Sequence, residues 1–341
     1  MGRLISVLFA IFFAGCGSQP TTLTFSGETW GTTYNIVVVD RSAALDRGSI
    51  DASIKSVLAD VDRKLSNWDS RSEISRFNAA LTTDPVSISE DLAEVIAISN
   101  DVHQQSHGRF DLTLGPLIDL WGFGAREPGT PIPSDEAIEA ALSQVGQLDV
   151  LKLDRAAGTL QKTRSNTNVY LAALAKGYGI DEIARELRRL GITDYLVEVG
   201  GDLVTSGINP KGEAWRIGIE VPDSLPGAVQ EIVELSGMGM ATSGDYRNYF
   251  EVDGRRYSHI LDSETGRPIT HKTASVTVLA ENATLADAWA TALLVLGENS
   301  GLEIAENLGI AAYFIVRDTS SSETGYRIVT SERFEQLQSS W

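Results

Sequence analysis

Apolar residues Ile54, Val57, Leu58, Val61 and Leu65 recur at intervals of three and four, the stripe of an amphipathic helix, and Leu92, Val95, Ile96 and Val102 predict a second. A third is predicted after Ser134, which can cap it, with Glu136 and Glu139 near its positive end. A longer helix is expected over residues 172–190 and a short one over 302–308. Strands are predicted at 34–39, 195–199, 215–221, 229–235, 275–279, 312–316 and 326–330. Two hairpins are predicted as well. One joins 151–153 to 159–162 through Arg155-Ala-Ala-Gly158, and the other joins 249–252 to 256–260 through Asp253-Gly254. Residues 122–133, rich in Gly and Pro, read as a surface loop.

The stretch 283–297, ATLADAWATALLVLG, predicts a helix with almost no polar side, which Gly297 can end. Its polar residues include Asp287 and Thr291, which lie four apart and therefore share a face. Local pattern leaves two readings open. Thr284 and Asp287 have the spacing of a capping box, with Thr284 as N-cap. Alternatively, Asp287 and Thr291 supply oxygen to a hard cation, which that donor chemistry suits better than it suits zinc or copper.

Strands in hairpins with helices inserted between groups, and no strict βαβ alternation, indicate an α+β fold. No linker divides residues 25–335, so one domain is expected there. Forty-six acidic against 28 basic side chains leave a formal charge of −18, which argues against wrapping a nucleic acid. A bound nucleotide remains compatible with that charge, because a divalent ion can screen its phosphates. At the N-terminus, Arg3 and the apolar run 4–14 read as a secretory signal over residues 1–15, too short to span a bilayer. The run ends in Phe13-Ala14-Gly15-Cys16, which resembles a bacterial lipobox and holds the chain's single cysteine. Cys16 is therefore expected to carry lipid, residues 16–24 to form a tether, and the protein to sit in the cell envelope facing the periplasm.

The chain has no P-loop, no G-x-G-x-x-G after a strand, no HExxH and no G-x-S-x-G. His103 and His107, four apart on the second helix, have no third metal ligand in view and read as a solvated face. Four other stretches place glycine beside polar or aromatic groups: 108–124, Ala173 to Gly179, Val199-Gly200-Gly201-Asp202, and 241–246 followed by 257–268. Glycine permits close approach to a flat ligand, and a Lys at a helix start, such as Lys176, can meet phosphate.

Taken in order, these stretches resemble the ApbE family, the FAD:protein FMN transferases. The likeness runs through Trp30-Gly-Thr-Thr-Tyr34, residues 65–78, 108–124, Ala175-Lys176-Gly177-Tyr178, Gly200-Gly201-Asp202, Thr242 to Tyr246, His259-Ile-Leu-Asp262 and Ala286-Asp287 with Ala290-Thr291-Ala292. The resemblance implies a duplicated T-fold domain that binds FAD and Mg²⁺ (Mn²⁺ is also compatible). It implies transfer of FMN to a Thr or Ser of an exported acceptor, through a pattern like D-x-x-[ST]-G-A-[ST], with release of AMP. The family's cation ligands map to Asp287, Thr291 and Ala173, and Lys176 maps beside FAD. His259 is the expected base for the acceptor hydroxyl, with Asp262 orienting it. Trp30, Trp68, Arg109, Phe110, Asp111 and Leu261 map to FAD contacts, and Ser243, Asp245 and Tyr246 to the pocket. Trp30 stands where Met is common, Trp68 where Tyr is usual, and Tyr170 where many members have Asp. Loss of that carboxylate keeps a flavin carrier without turnover in view, and water as acceptor would give FAD hydrolysis to FMN and AMP.

Overall fold

A computed structural model describes residues 20–41, 44–124, 132–222, 228–318, 320 and 325–339. Cys16, the signal segment and most of the expected loop at 122–133 lie outside them. The chain opens with β1 (Thr21–Thr29), β2 (Thr32–Asp40), α1 (Arg47–Leu65), α2 (Glu73–Ala79), β3 (Val86–Ser87) and α3 (Glu90–Gln105). It continues through α4 (Gly115–Trp121), α5 (Asp135–Leu142), α6 (Gln147–Val150), β4 (Leu151–Asp154), β5 (Thr159–Lys162) and α7 (Ala175–Arg189). Next come β6 (Tyr195–Val199), β7 (Asp202–Ser206), β8 (Trp215–Glu220), β9 (Val229–Leu235), β10 (Gly239–Gly244), β11 (Tyr249–Val252), β12 (Arg255–Ser258), β13 (Leu261–Asp262), β14 (Arg267–Pro268) and β15 (Thr273–Ala280). The chain closes with α8 (Ala283–Leu308), β16 (Ala311–Arg317), β17 (Tyr326–Thr330) and α9 (Glu332–Ser339).

Eight strands form one antiparallel sheet in the order β1-β2-β6-β7-β10-β15-β16-β17. Its two halves repeat a plan. In the first, the β1–β2 hairpin is followed by α1 and, after an insertion, α7, and then by the β6–β7 hairpin. In the second, β10 pairs with β15, α8 follows, and the β16–β17 hairpin ends the unit. The count matches because α8 is two helices joined at Gly297, whose φ of 73° and ψ of 177° are not helical. A Cβ there would stand 2.9 Å from the His271 ring and would need a left-handed backbone, so glycine is required twice over. The duplicated α+β expectation is met, and the separate helix expected at 302–308 is the second limb of α8.

Helices pack on one face of the sheet. Ala286, Ala290, Leu293 and Leu294 of α8 are buried with Val276, Val278 and Phe314, while Ile54, Ile183 and Leu187 join Ile36 and Val38. On the other face the β8–β9 hairpin and α9 cover Leu203, Met240 and Tyr313 with Val233, Leu235 and Phe334. Central strands are thus buried on both sides, which explains the nearly unbroken burial of β15. Strands β7 and β10 carry no readable alternation, since β10 is Gly-Met-Ala-Thr-Ser-Gly and the sheet neighbours place it. At the N-terminus, residues 21–24 belong to β1 rather than to the expected tether. Ser134 does cap α5, accepting from the Ala137 N–H.

Two helices carry the site, and glycine sets their spacing. A Cβ on Gly177 of α7 would lie 2.4 Å from the Ala283 carbonyl oxygen, a backbone atom with little room to yield. Gly177→Ala is therefore expected to push α7 from α8 and lower stability by about 1–3 kcal/mol, read as a fall in Tm. An unchanged Tm would mean the helices are not held at this contact.

Candidate active site

Asp287 is 5 % exposed on α8, and Thr291 follows one turn later on the same face. The capping-box reading does not hold. Asn282 is the N-cap, accepting from the Leu285 N–H at 2.8 Å, and Thr284 donates to Asp181 instead. Asp287 turns toward α7, where its Oδ2 accepts from the Gly177 N–H at 3.0 Å. The expected helix at 172–190 begins only at Ala175, and this contact accounts for part of the delay. An amide in regular helix would donate to the carbonyl four residues back, which for Gly177 is Ala173. Because Asp287 takes that amide, the Ala173 carbonyl receives no backbone donor among the described residues, and Ala173 lines the cavity. Thr291 Oγ1 lies 3.1 Å from Ser243 Oγ at the end of β10.

Beside this group, Lys176 Nζ is 2.8 Å from Asp202 Oδ2 and donates to the Gly200 carbonyl at 3.3 Å. The other Asp202 oxygen accepts from the Thr242 N–H at 3.1 Å. Burial, then the nearby Asp202, pushes the Asp287 carboxyl well above its usual range, with Lys176 opposing. Burial likewise raises Asp202 against the pull of Lys176. Burial alone would lower Lys176, but Asp202 and Asp287 outweigh it and raise the ammonium, which stays protonated. Lys176 and Arg247 both pull on Asp202, yet Asp287 stays raised, so positive charge beside it is in deficit. A hard cation would remove that deficit, and the carboxylate, hydroxyl and freed carbonyl are its preferred donors. Among the described residues no group of three or more His, Cys, Asp or Glu could hold a metal, so zinc-type ligation finds no support.

Two cavities meet at Ala172 and Lys176. The first, about 280 Å³, is lined by Asp287, Thr291, Ala173, Ser243, His259 and Tyr170 among others. The second, about 730 Å³, opens beside Trp30 and Trp68. Trp68 is 65 % exposed and meets Tyr170 edge-on, with centroids 6.3 Å apart. Trp30, at φ 49°, lies so close over Gly179 that a Cβ would fall 2.1 Å from its ring. A long ligand with a planar group at one end and anionic charge near Lys176 fits this pair of spaces.

His259 is held through Nδ1 by the Asn248 carbonyl at 2.9 Å, which assigns the proton to Nδ1 and leaves Nε2 as the basic nitrogen. Burial lowers its pKa below 6.5, so the ring is neutral at neutral pH. Asp262 does not orient it. Its carboxylate instead accepts from Arg109 Nη1 at 2.8 and 2.9 Å and from the Glu264 N–H, while Glu264 also pairs with Arg109. The turn between β13 and β14 therefore commits the carboxylate to Arg109. Arg109, Phe110, Asp111 and Leu261, expected at FAD, line the first cavity. Even so, Asp111 is spent on fold contacts: Oδ1 accepts from Thr113 and Oδ2 from the Gln147 N–H at 2.9 Å. Asp245 and Tyr246 do not line it; Asp245 is buried against Arg317, while Gly244 and Arg247 take those places on the wall. His107 lies beyond the end of α3 at φ 55°, so it cannot share a helical face with His103, which is bonded to the Phe110 carbonyl. Sequence reading gave no site role to Asp202 or Arg247. A glycine pair at a strand end hinted at the first, and nothing local marked the second.

The ApbE family model matches residues 30–314. A Haemophilus influenzae protein named FAD:protein FMN transferase is 38% identical over 345 residues, covering 98% of this chain and 96% of its own. The flavin transferase ApbE structure from Vibrio cholerae superposes with a TM-score of 0.84 at 36% identity, covering 93% of this chain and 99% of that one. An apo flavinyl transferase ApbE from Pseudomonas stutzeri gives 0.85 at 39%, covering 94% and 98%.

Proposed function

The chain belongs to the ApbE family, and on that premise we propose that it is an FAD:protein FMN transferase. The acceptor Thr or Ser loses its hydroxyl proton as its oxygen bonds to the FMN phosphorus, and the anhydride bond to AMP breaks. One observation carries the reading: Asp287 and Thr291, one turn apart on α8, line one cavity with Ala173 and Lys176, and Lys176 also lines the neighbouring one. FAD would lie across that junction with its pyrophosphate at Lys176, near the positive N-terminus of α7. Asp287, Thr291 and the Ala173 carbonyl would hold Mg²⁺, or Mn²⁺ in its place. When bound, that ion supplies positive charge against the pyrophosphate oxygens.

The side chains divide the remaining work. Lys176, kept charged by Asp202, faces the charge that grows on AMP. His259 Nε2 receives the acceptor proton while the Asn248 carbonyl holds the ring in place. Trp68 offers a stacking face, and Trp68→Ala is expected to weaken FAD binding about tenfold in a fluorescence titration. Undiminished affinity would remove Trp68 from the FAD site.

The acceptor is an exported protein bearing a pattern like D-x-x-[ST]-G-A-[ST]. Lipid on Cys16 would keep the enzyme at a membrane surface on the periplasmic side, in reach of such proteins. Mixing the protein with FAD, Mg²⁺ and an acceptor domain should yield AMP and denaturation-resistant protein flavin one for one. AMP with free FMN alone would favour hydrolysis, and bound FAD without AMP would favour a carrier.

A further inference from the structure

We propose that Asp181 of α7 is a positioning residue that sets how tightly the cation is held, by fixing where α8 delivers Asp287 and Thr291 against the Ala173 carbonyl. The inference rests on the reading of these three groups as the cation's ligands. Asp181 accepts from the Ala283 N–H at 2.9 Å, the Thr284 N–H at 2.8 Å and the Thr284 hydroxyl at 2.5 Å.

These bonds mirror the one at the site. Gly177 and Asp181 are one turn apart on α7, and Ala283 and Asp287 are one turn apart on α8. The α8 carboxylate of Asp287 accepts from the first turn of α7, and the α7 carboxylate of Asp181 accepts from the first turn of α8. The helices are thus stitched twice, in opposite senses, across the contact where Gly177 meets the Ala283 carbonyl. With both ends tied, α8 can neither slide nor turn against α7 without breaking a buried hydrogen bond.

Capping alone does not account for Asp181. Asn282 already serves the Leu285 N–H as N-cap, and the amides of the buried Ala283 and Thr284, out of reach of water, could be met by a neutral acceptor rather than a carboxylate. Sinking a carboxylate there costs desolvation, which is reasonable where a fixed geometry is required. Thr291 and Asp287 ride on the segment so fixed, while Ala173 precedes α7. Any shift between the two helices separates the donors.

The test is a calorimetric titration of Mn²⁺ into the purified protein, with activity measured over the same metal range. Asp181→Asn keeps the shape but turns an amide NH₂ toward backbone donors. It should raise the Mn²⁺ Kd about 10–100-fold while leaving kcat at saturating metal near that of the parent. Thr284→Val, which removes one of the three bonds, should move Kd the same way by less, and it decides the matter if Asp181→Asn does not fold. Lys162→Met is the control. Its buried ammonium donates to the carbonyls of Phe77, Asn78 and Ala80 at the end of α2, so its loss should lower Tm and leave Kd unchanged. A lowered Tm with unchanged Mn²⁺ Kd in the Asp181 and Thr284 variants would overturn the proposal. Absence of Mn²⁺ binding by the parent would overturn it together with the ligand assignment itself, a result distinct from the first.

Discussion

Replacing Asp287 by Ala is expected to lower kcat/KM for FAD at least about a thousandfold, a loss of roughly 4 kcal/mol of transition-state stabilisation. The metal-free variant should nevertheless unfold within a few degrees of the parent, because relief of the buried carboxylate offsets the loss of its bond to the Gly177 N–H. Both halves follow from one fact. Asp287 is buried beside Asp202, its carboxyl is held well above the usual range, and Lys176 is shared between the two carboxylates. Such an arrangement is unfavourable for the fold by itself and is kept for what it binds. Thermal unfolding in chelator and steady-state kinetics in Mg²⁺ test the two halves separately. Activity near that of the parent would remove Asp287 from the site, whereas a large fall in Tm would make it a structural residue.

The second large effect belongs to His259. Its replacement by Ala should reduce kcat for transfer by about 10²–10⁴-fold while FAD binding changes little, because the ring acts on the acceptor rather than on the nucleotide. The sign of the pH dependence follows from burial. Charged imidazolium is disfavoured there, so its pKa falls below 6.5 and the neutral base is present at pH 7. Transfer should therefore fall off as pH drops through a value under 6.5, and that limb should vanish in His259→Gln. An acid limb at or above 6.5, or one that survives the substitution, would assign the proton to another group.

Much of this site was legible because helical periodicity is local. A face shared by Asp287 and Thr291 follows from their spacing on any helix, and an almost wholly apolar helix has to be buried. Which protein atoms meet that face is a matter of how α7 crosses α8, and spacing says nothing of it; Ala173 entered through family resemblance, and the captured Gly177 amide supplies the physical reason. Adjacency misled at Asp262. Three residues after His259 it looks placed to assist, yet the β13–β14 turn delivers it to Arg109, 153 residues earlier in the chain. Asp245 was misplaced for a related reason, since its partner Arg317 comes from β16. Strand β10 stayed unread because its small residues take their structure from neighbours on both sides. The twofold plan of the sheet was hidden too, as insertions after α1 and β10 leave no repeat of fixed period in the sequence.

The most direct measurement is the intact mass of a purified acceptor domain after incubation with the protein, FAD and Mg²⁺, alongside the same domain with its target Thr changed to Val. The account predicts that the acceptor gains the mass of FMN less one water, with AMP formed in equal amount, and that the Val variant gains nothing. An unmodified acceptor in the presence of bound FAD, or equal labelling of the Val variant, would contradict it.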